Sequence, residues 1–276
     1  MKHRIFSIAI FFCLLAGTGY GQRSSCDKCD GKNDTVFVIG PSDADRYIHV
    51  FDSLYRTSTE DQQRLSKSIE FSRDAFMEFY HKNFVLDSGK YQGMNVYPVS
   101  YDEAARPGQK IVNQLGIILA PRGQDCKLDT SGFICGNNSF DGGLGSTNPG
   151  TLKYSGEELV KYCKRYRKEY KNGIMPNNLL YTRIIFLDTR VCDFLATFFV
   201  EHPDANGLAI FPASYGEKKD KICGLKRRKQ MTIVIRPIVK GQVDPKAFEE
   251  YFSKLNEKGR SFLAVNHGSL CPDVCC

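Results

Sequence analysis

Cys26-Asp-Lys-Cys29 is the first segment of the chain with the spacing of reactive chemistry. A CxxC that opens a helix after a strand lowers the pKa of one thiol and supports dithiol exchange. Four thiolates also suit zinc, and Cys271, Cys275 and Cys276 would extend the set. Here the CxxC lies in a polar N-terminal stretch with no strand leading into a helix, so a disulfide staple is the better reading. His267 stands near Ser269 and Cys271, residue types that form nucleophile–base pairs. No G-x-S-x-G elbow accompanies them, and they fall in a cysteine-rich tail. Gly142-Gly143-Leu144-Gly145 is followed by no GK[ST] and reads as a linker, not a phosphate loop. His49, His81 and His202 are isolated and show no metal spacing. The sequence therefore assigns no catalytic residue and implies no cofactor or metal.

The cysteines need a compartment. The chain has 276 residues and 11 cysteines. Lys2, His3 and Arg4 precede an apolar run, Ile5 to Ala16, and small residues follow to Gly21, the pattern of an export signal over residues 1–21. No apolar run reaches the roughly 18–20 residues of a membrane span. Export to a periplasmic or extracellular space leaves Cys26, Cys29, Cys126, Cys135, Cys163, Cys192, Cys223, Cys271, Cys275 and Cys276, an even set that reads as a disulfide framework. Cys126 and Cys135 flank a short polar loop and form the easiest local pair. Cys163 and Cys192 occupy apolar positions of two helices, where they bridge if those helices touch and otherwise act as small core residues. The mature chain is expected to hold few or no free thiols.

The elements that would position any site are duplicated. The segment from Gly93 to Glu103 (GMNVYPVSYDE) returns from Gly207 to Glu217 (GLAIFPASYGE), and Gln114 to Pro121 returns as Gln230 to Pro237, at offsets of 114 and 116 residues. Upstream, Ser42-x-x-Asp45 opens a helical apolar set at Tyr47, Val50, Phe51 and Leu54. Ser155-x-x-Glu158 opens another at Leu159, Tyr162, Cys163, Tyr166 and Tyr170. Short strands over 68–71 and 183–187 lead to Ser72 and Asp188, which read as N-caps of second helices. Each copy thus predicts helix, strand, helix and a β-hairpin. Pro98 and Pro212 fall inside the hairpin strands, so those stretches are expected at an edge or bulge. A further helix follows in the second copy, with Asp244 as N-cap, Pro245 at N1, and Phe248, Tyr251, Phe252 and Leu255 on one face.

The fold class is therefore α+β, two copies of a helix-strand-helix-strand-strand unit with antiparallel hairpins packed by helices. The organisation is a signal peptide (1–21), a Cys-containing tail (22–41), a first repeat (42–139), a Gly-rich linker (140–150) and a second repeat with the extra helix and a Cys-rich tail (151–276). The capped helix, aromatic strand, short helix and G-[LIM]-x-[VI]-[YF] strand, with the tail from Asn266 to Cys276, resemble exported proteins of Bacteroidota that carry such a unit. The tail departs from that pattern in having Pro-Asp and a doubled terminal Cys. The resemblance implies export and an α/β repeat. No activity is established for that group, so it transfers no site.

Charge separates the halves. Residues 22–150 carry 14 Lys+Arg and 17 Asp+Glu, and residues 151–276 carry 22 and 14. Lys164, Arg165 and Lys168 fall away from the apolar stripe of their helix, and Arg227, Arg228 and Lys229 lie in the second hairpin connector. If joined, they make a surface for an anionic envelope component or a protein partner. Nucleic acid is disfavoured, because no recognition module is visible. Two function classes follow: a non-catalytic exported binding or structural protein with a basic second half, or a small extracytoplasmic hydrolase with dispersed acid–base residues. The oligomeric state is open.

Overall fold

The computed structural model describes residues 41–55, 67–101, 114–123, 132–139, 156–169, 182, 184–215, 231–257 and 269–270. The proposed signal segment, the N-terminal tail, the Gly-rich linker and the cysteine tail beyond Leu270 lie outside them. The elements are helix α1 (Pro41–Tyr55), strand β1 (Ser68–Ser72), helix α2 (Arg73–Tyr80) running into a π-helical turn (His81–Leu86), β2 (Gly93–Tyr101), β3 (Gln114–Arg122), β4 (Ile134–Cys135) and β5 (Asn137–Ser139). They continue with α3 (Gly156–Glu169), β6 (Ile185–Asp188), α4 (Thr189–Glu201), β7 (Ala205–Ser214), β8 (Met231–Val239), β9 (Gln242–Val243), α5 (Ala247–Glu257) and β10 (Ser269–Leu270).

Local chemistry accounts for most boundaries. The Ser72 hydroxyl accepts from the Ala75 N–H at 3.2 Å, and the Asp188 carboxylate accepts from the Val191 N–H at 3.3 Å, each satisfying an orphan donor of the helix it opens. Asp244 accepts from the N–H groups of Lys246 and Ala247 and so caps α5. Asp87, Gly89 and Lys90 turn the chain into β2, with the Lys90 N–H donating to the Asp87 carbonyl. Lys240 and Gly241, both at positive φ, make the tight turn between β8 and β9.

All strand pairs are antiparallel, and they form two sheets. One runs β5-β1-β7-β8-β9 and the other β10-β6-β2-β3-β4. Adding five to each strand number, and counting past ten back to one, converts either order into the other. Neither sheet belongs to one half of the chain. β1 leaves the first half to pair with β7, with Ile69 opposite Ile210, Phe71 opposite Leu208 and Ser72 opposite Gly207. β6 leaves the second half to pair with β2, with Ile185 opposite Val96, Leu187 opposite Met94 and Asp188 opposite Gly93. The helices follow: α1 packs on β7 and β8, and α3 packs on β2.

Helices α2, α4 and α5 lie between the sheets. α2 touches β1 and β7, α4 touches β6 and β2, α2 and α4 touch each other, and α5 packs on β8. Phe194 and Phe198 of α4 meet Phe248 and Tyr251 of α5 at centroid distances of 4.8–5.6 Å. One continuous core results, drawing Ile69, Phe71 and Phe76 from the first half and Leu195, Phe199 and Ile210 from the second. Strands β2 and β3 are covered on both faces. Met94, Val96, Ile117 and Leu119 enter the main core, whereas Tyr97, Val99, Ile118 and Ala120 pack with Leu159, Tyr162 and Cys163 of α3. That double cover explains why these strands read as near-continuous apolar runs.

Pro98 and Pro212 stand in the middle of β2 and β7 without any bulge at either residue. The recorded irregularity of β7 lies at Ala205/Gly207. β6 accompanies β2 only from Gly93 to Val96, and β1 accompanies β7 only from Gly207 to Ile210, so each proline sits past the end of the incoming strand. The strands are central at one end and edges at the other, which is where a residue without an N–H is tolerated.

The two glycines that head the duplicated motif mark the crossing points. A Cβ on Gly207 would stand 2.7 Å from the Phe71 carbonyl oxygen, and a Cβ on Gly93 would collide with the Leu187 carbonyl oxygen and sit 2.8 Å from Asp188 Cα. Phe71 and Leu187 are the residues just before the two cap residues. Gly207→Ala and Gly93→Ala are each expected to cost about 1–3 kcal/mol through forced backbone displacement. Urea unfolding monitored by circular dichroism checks this; an unchanged midpoint for either variant contradicts the close crossing.

Candidate functional site

Helix α4 is buried nearly all round: Val191, Cys192, Phe194, Leu195, Ala196, Phe198 and Phe199 are all in the core. Asp193 is the acidic exception in that run, and it is met by α2. The Tyr80 hydroxyl donates to Asp193 Oδ1 at 2.8 Å, a bond that joins residues of the two halves. Counted from the caps, Asp193 occupies in α4 the place that Met77 occupies in α2, and Tyr80 occupies the place of Ala196. The pair therefore has no counterpart across the otherwise matched arrangement of the two helices.

The surroundings of the pair are aromatic on one side and charged on the other. The Tyr80 ring lies 5.9 Å from that of Phe84, which in turn meets Tyr91 at 6.4 Å. Phe84 belongs to the π-helical turn. The buried Asn83 amide there donates to the Phe79 carbonyl at 2.8 Å and to the Gly132 carbonyl at 3.3 Å, satisfying backbone acceptors and tying the turn to the approach of β4. Such turns are frequent at functional sites. At the N-terminus of α4, about one turn before Asp193, Arg190 ion-pairs with Asp188.

Burial raises the Asp193 pKa. The Tyr80 hydrogen bond pulls it down, the Asp188 charge pushes it up again, and the net direction is upward. Tyr80 is raised strongly, by burial first and then by its bond to Asp193 and that residue's charge. Chemically the pair is a carboxyl group that holds its proton above the ordinary range, oriented by a phenol that stays neutral. That suits a proton-handling group or a polar tie between helices.

Among the described residues, no group of three or more His, Cys, Asp or Glu side chains is placed to hold a metal ion. His49 is exposed on α1 and His81 on the π-helical turn. His202 ends α4, where its ring stacks 4.6 Å from Phe198 and meets Tyr251 edge-on.

Cys163 and Cys192 do not bridge, contrary to the option that their helices bring them together. α3 packs on one face of the β2–β3 pair and α4 on the other, so Cys163 belongs to the small core beneath α3 and Cys192 to the main core. Both are free thiols. Burial pushes Cys163 up to about 11 and Cys192 well above its usual value, so both are inert core residues. Of the two options for this pair, separate small core residues is the one the structure shows. Cys135 is buried at the end of β4, beside the α3 core. Cys26, Cys29, Cys126, Cys223, Cys271, Cys275 and Cys276 lie outside the described residues.

The basic residues divide similarly. Leu159, Tyr162, Cys163 and Tyr166 bury one face of α3, while Lys161, Lys164 and Lys168 are exposed and Arg165 is half-exposed on the other. Glu157 and Glu158 in the first turn and Arg167 and Lys168 in the last complement the helix dipole. Lys161 and Lys164 lie between those turns and serve no such role. Arg227, Arg228 and Lys229 lie outside the described residues, so only the helical half of the expected patch is placed.

No protein-family model matches the chain, and neither a curated protein nor a solved structure matches it significantly. Tyr80 and Asp193 were missed from the sequence; the available signal was one acid in the middle of a helix apolar on every other face.

The folded Asp193 keeps its proton to a higher pH than it does in the unfolded chain. Its contribution to stability is therefore present below the ordinary carboxylate pKa and is lost as pH rises through the raised value. Asp193→Asn keeps an acceptor for Tyr80 without the charge. At pH 7 it is expected to be at least as stable as the native chain, with the difference closing below about pH 4. Tyr80→Phe removes the donor from a half-exposed carboxylate and is expected to cost about 1 kcal/mol after allowance for solvent screening. Urea titrations at pH 4 and pH 7 check both. A larger loss for Asp193→Asn than for Tyr80→Phe at pH 7 contradicts the assignment.

Proposed function

We propose that this is a non-catalytic exported binding or structural protein, built from two copies of one α+β unit, which engages an anionic surface through the solvent face of α3. One observation carries the reading: Lys161, Lys164 and Lys168 line the exposed side of a helix whose opposite side is held in the core by Leu159, Tyr162 and Tyr166. Lys164 and Lys168 have no ion-pair partner within the described residues, so their charge is available to a ligand. The copy reading is supported by the interconvertible strand orders and by the matched pairs Ser72–Gly207 and Asp188–Gly93. Export and the disulfide framework rest on the N-terminal pattern and the even cysteine count. The partner that fits is a surface of dense negative charge, such as envelope glycolipid, held by long-range attraction.

The second reading, a small extracytoplasmic hydrolase, is favoured by one feature. Asp193 is a carboxyl group raised above its ordinary range, paired with Tyr80 at 2.8 Å, and present in one half alone.

Because both halves contribute to both sheets, the full mature chain is the object to test. It is expected to co-sediment with vesicles containing anionic lipid and not with neutral vesicles. Binding should fall several-fold from 0.05 M to 0.5 M salt as the Debye length shortens from above 10 Å to a few Å. Lys164→Ser with Lys168→Ser should weaken it further at unchanged melting temperature. Equal binding to both vesicle types, or no effect of the double substitution, overturns the α3 surface.

A further inference from the structure

We infer that a second copy of this chain is a partner for it, through exchange of whole halves; the inference rests on the reading of the chain as two copies of one unit. The surfaces concerned are the edges of β2 and β7 that receive the helix–strand arms α3–β6 and α1–β1. Each arm pairs its strand with the hairpin of the other half, while Tyr166 of α3 and Thr182 ahead of β6 also bond Met231 of their own half. The sheet contacts that hold one half to the other are therefore contacts between two separable pieces of chain. The backbone joins them through the segment between Ser139 and Gly156.

Nothing in those contacts requires the two pieces to come from one molecule. Ile69 opposite Ile210, Phe71 opposite Leu208, Leu187 opposite Met94, the glycine crossings and the Tyr80–Asp193 bond are all satisfied equally when the first half of one chain meets the second half of another. Two chains that trade halves make two complete particles joined by two linkers, with every described contact kept. Exchange of this kind is a low-cost route to dimers because it needs no new interface. The only free-energy difference is loop closure. A covalent connection presents one half to the other at an effective concentration of about 1 mM, so the closed monomer should outnumber the exchanged dimer ~1000-fold at micromolar concentration and lose that advantage near millimolar. An exchanged dimer also carries two α3 faces.

The test refolds the full mature chain from denaturant in a glutathione buffer at about 1 μM and about 1 mM, with size exclusion and light scattering as the readout. The dimer fraction should rise from roughly 0.1% toward half, following the effective-concentration estimate. A variant carrying a protease site between Gly145 and Ser146 then distinguishes the form of the dimer. Mixed light and isotopically heavy chains are refolded together, the dimer is isolated and cut, and the products are weighed by native mass spectrometry. The exchanged dimer must fall into monomer-sized particles, and from an equal mixture about half of them hold one light and one heavy half, as random pairing of exchanged chains requires. Particles that stay dimeric after cutting, or monomer alone at 1 mM, overturn the inference. Cutting the monomer is the separate control: halves that part there defeat the two-copy, interdigitated reading itself, whereas halves that stay together without ever exchanging defeat only this inference.

Discussion

Two backbone crossings hold the structure together. At one, Gly207 lies against the Phe71 carbonyl; at the other, Gly93 lies against that of Leu187. Each is the point where a strand from one half of the chain enters the sheet of the other. Any larger residue would push the strands apart at their first shared pair, because no side-chain rotation relieves a clash between Cβ and backbone. The residue after each carbonyl, Ser72 or Asp188, ends its strand and caps the helix that follows. A single short junction thus sets strand register, helix start and the direction in which α2 and α4 enter the space between the sheets.

The packing follows from that geometry. Once α2 and α4 are aimed inward, their apolar faces have no solvent to meet, and α4 is apolar on nearly all sides for that reason. α3 lies outside the β2–β3 pair and is amphipathic, so its basic residues remain in water. Polar groups inside the described core are few and mostly bonded. Asn95 donates to the Tyr97 hydroxyl at 2.9 Å, and the Thr182 hydroxyl donates to the Met231 carbonyl at 2.5 Å. Asp193 stands at the margin of that core, met by a tyrosine from the facing helix, with one side reaching solvent.

Much of the local structure was legible in the sequence. The caps Ser72, Asp188 and Asp244 announced three helices, and the paired motifs announced two hairpins, because capping and periodicity depend on neighbours along the chain. The mixed α+β class followed from the same signals. What was not legible is which strand meets which hairpin. A sequence motif that occurs twice is equally compatible with each arm folding onto its own hairpin, and the complementarity at Ser72–Gly207 is nearly the same as at a hypothetical Ser72–Gly93. The choice is made by chain connectivity and core packing, which are non-local. The same gap left the two cysteines open between a bridge and separate core places: helical spacing puts Cys163 and Cys192 on apolar faces but does not say that a sheet stands between them. It also hid Tyr80–Asp193, whose members are 113 residues apart.

The central claim is that the two halves form one cooperative body because each sheet is built from both. Native-state hydrogen exchange of the full chain at increasing denaturant tests it most directly, read at the amides of β2 and β3 in one sheet and of β7 and β8 in the other. The account predicts that both sets of protected amides converge on the same opening free energy with the same denaturant dependence, since neither sheet can open without removing a strand from the other half. Opening of one sheet at distinctly lower denaturant, while the other keeps its full protection, would contradict it.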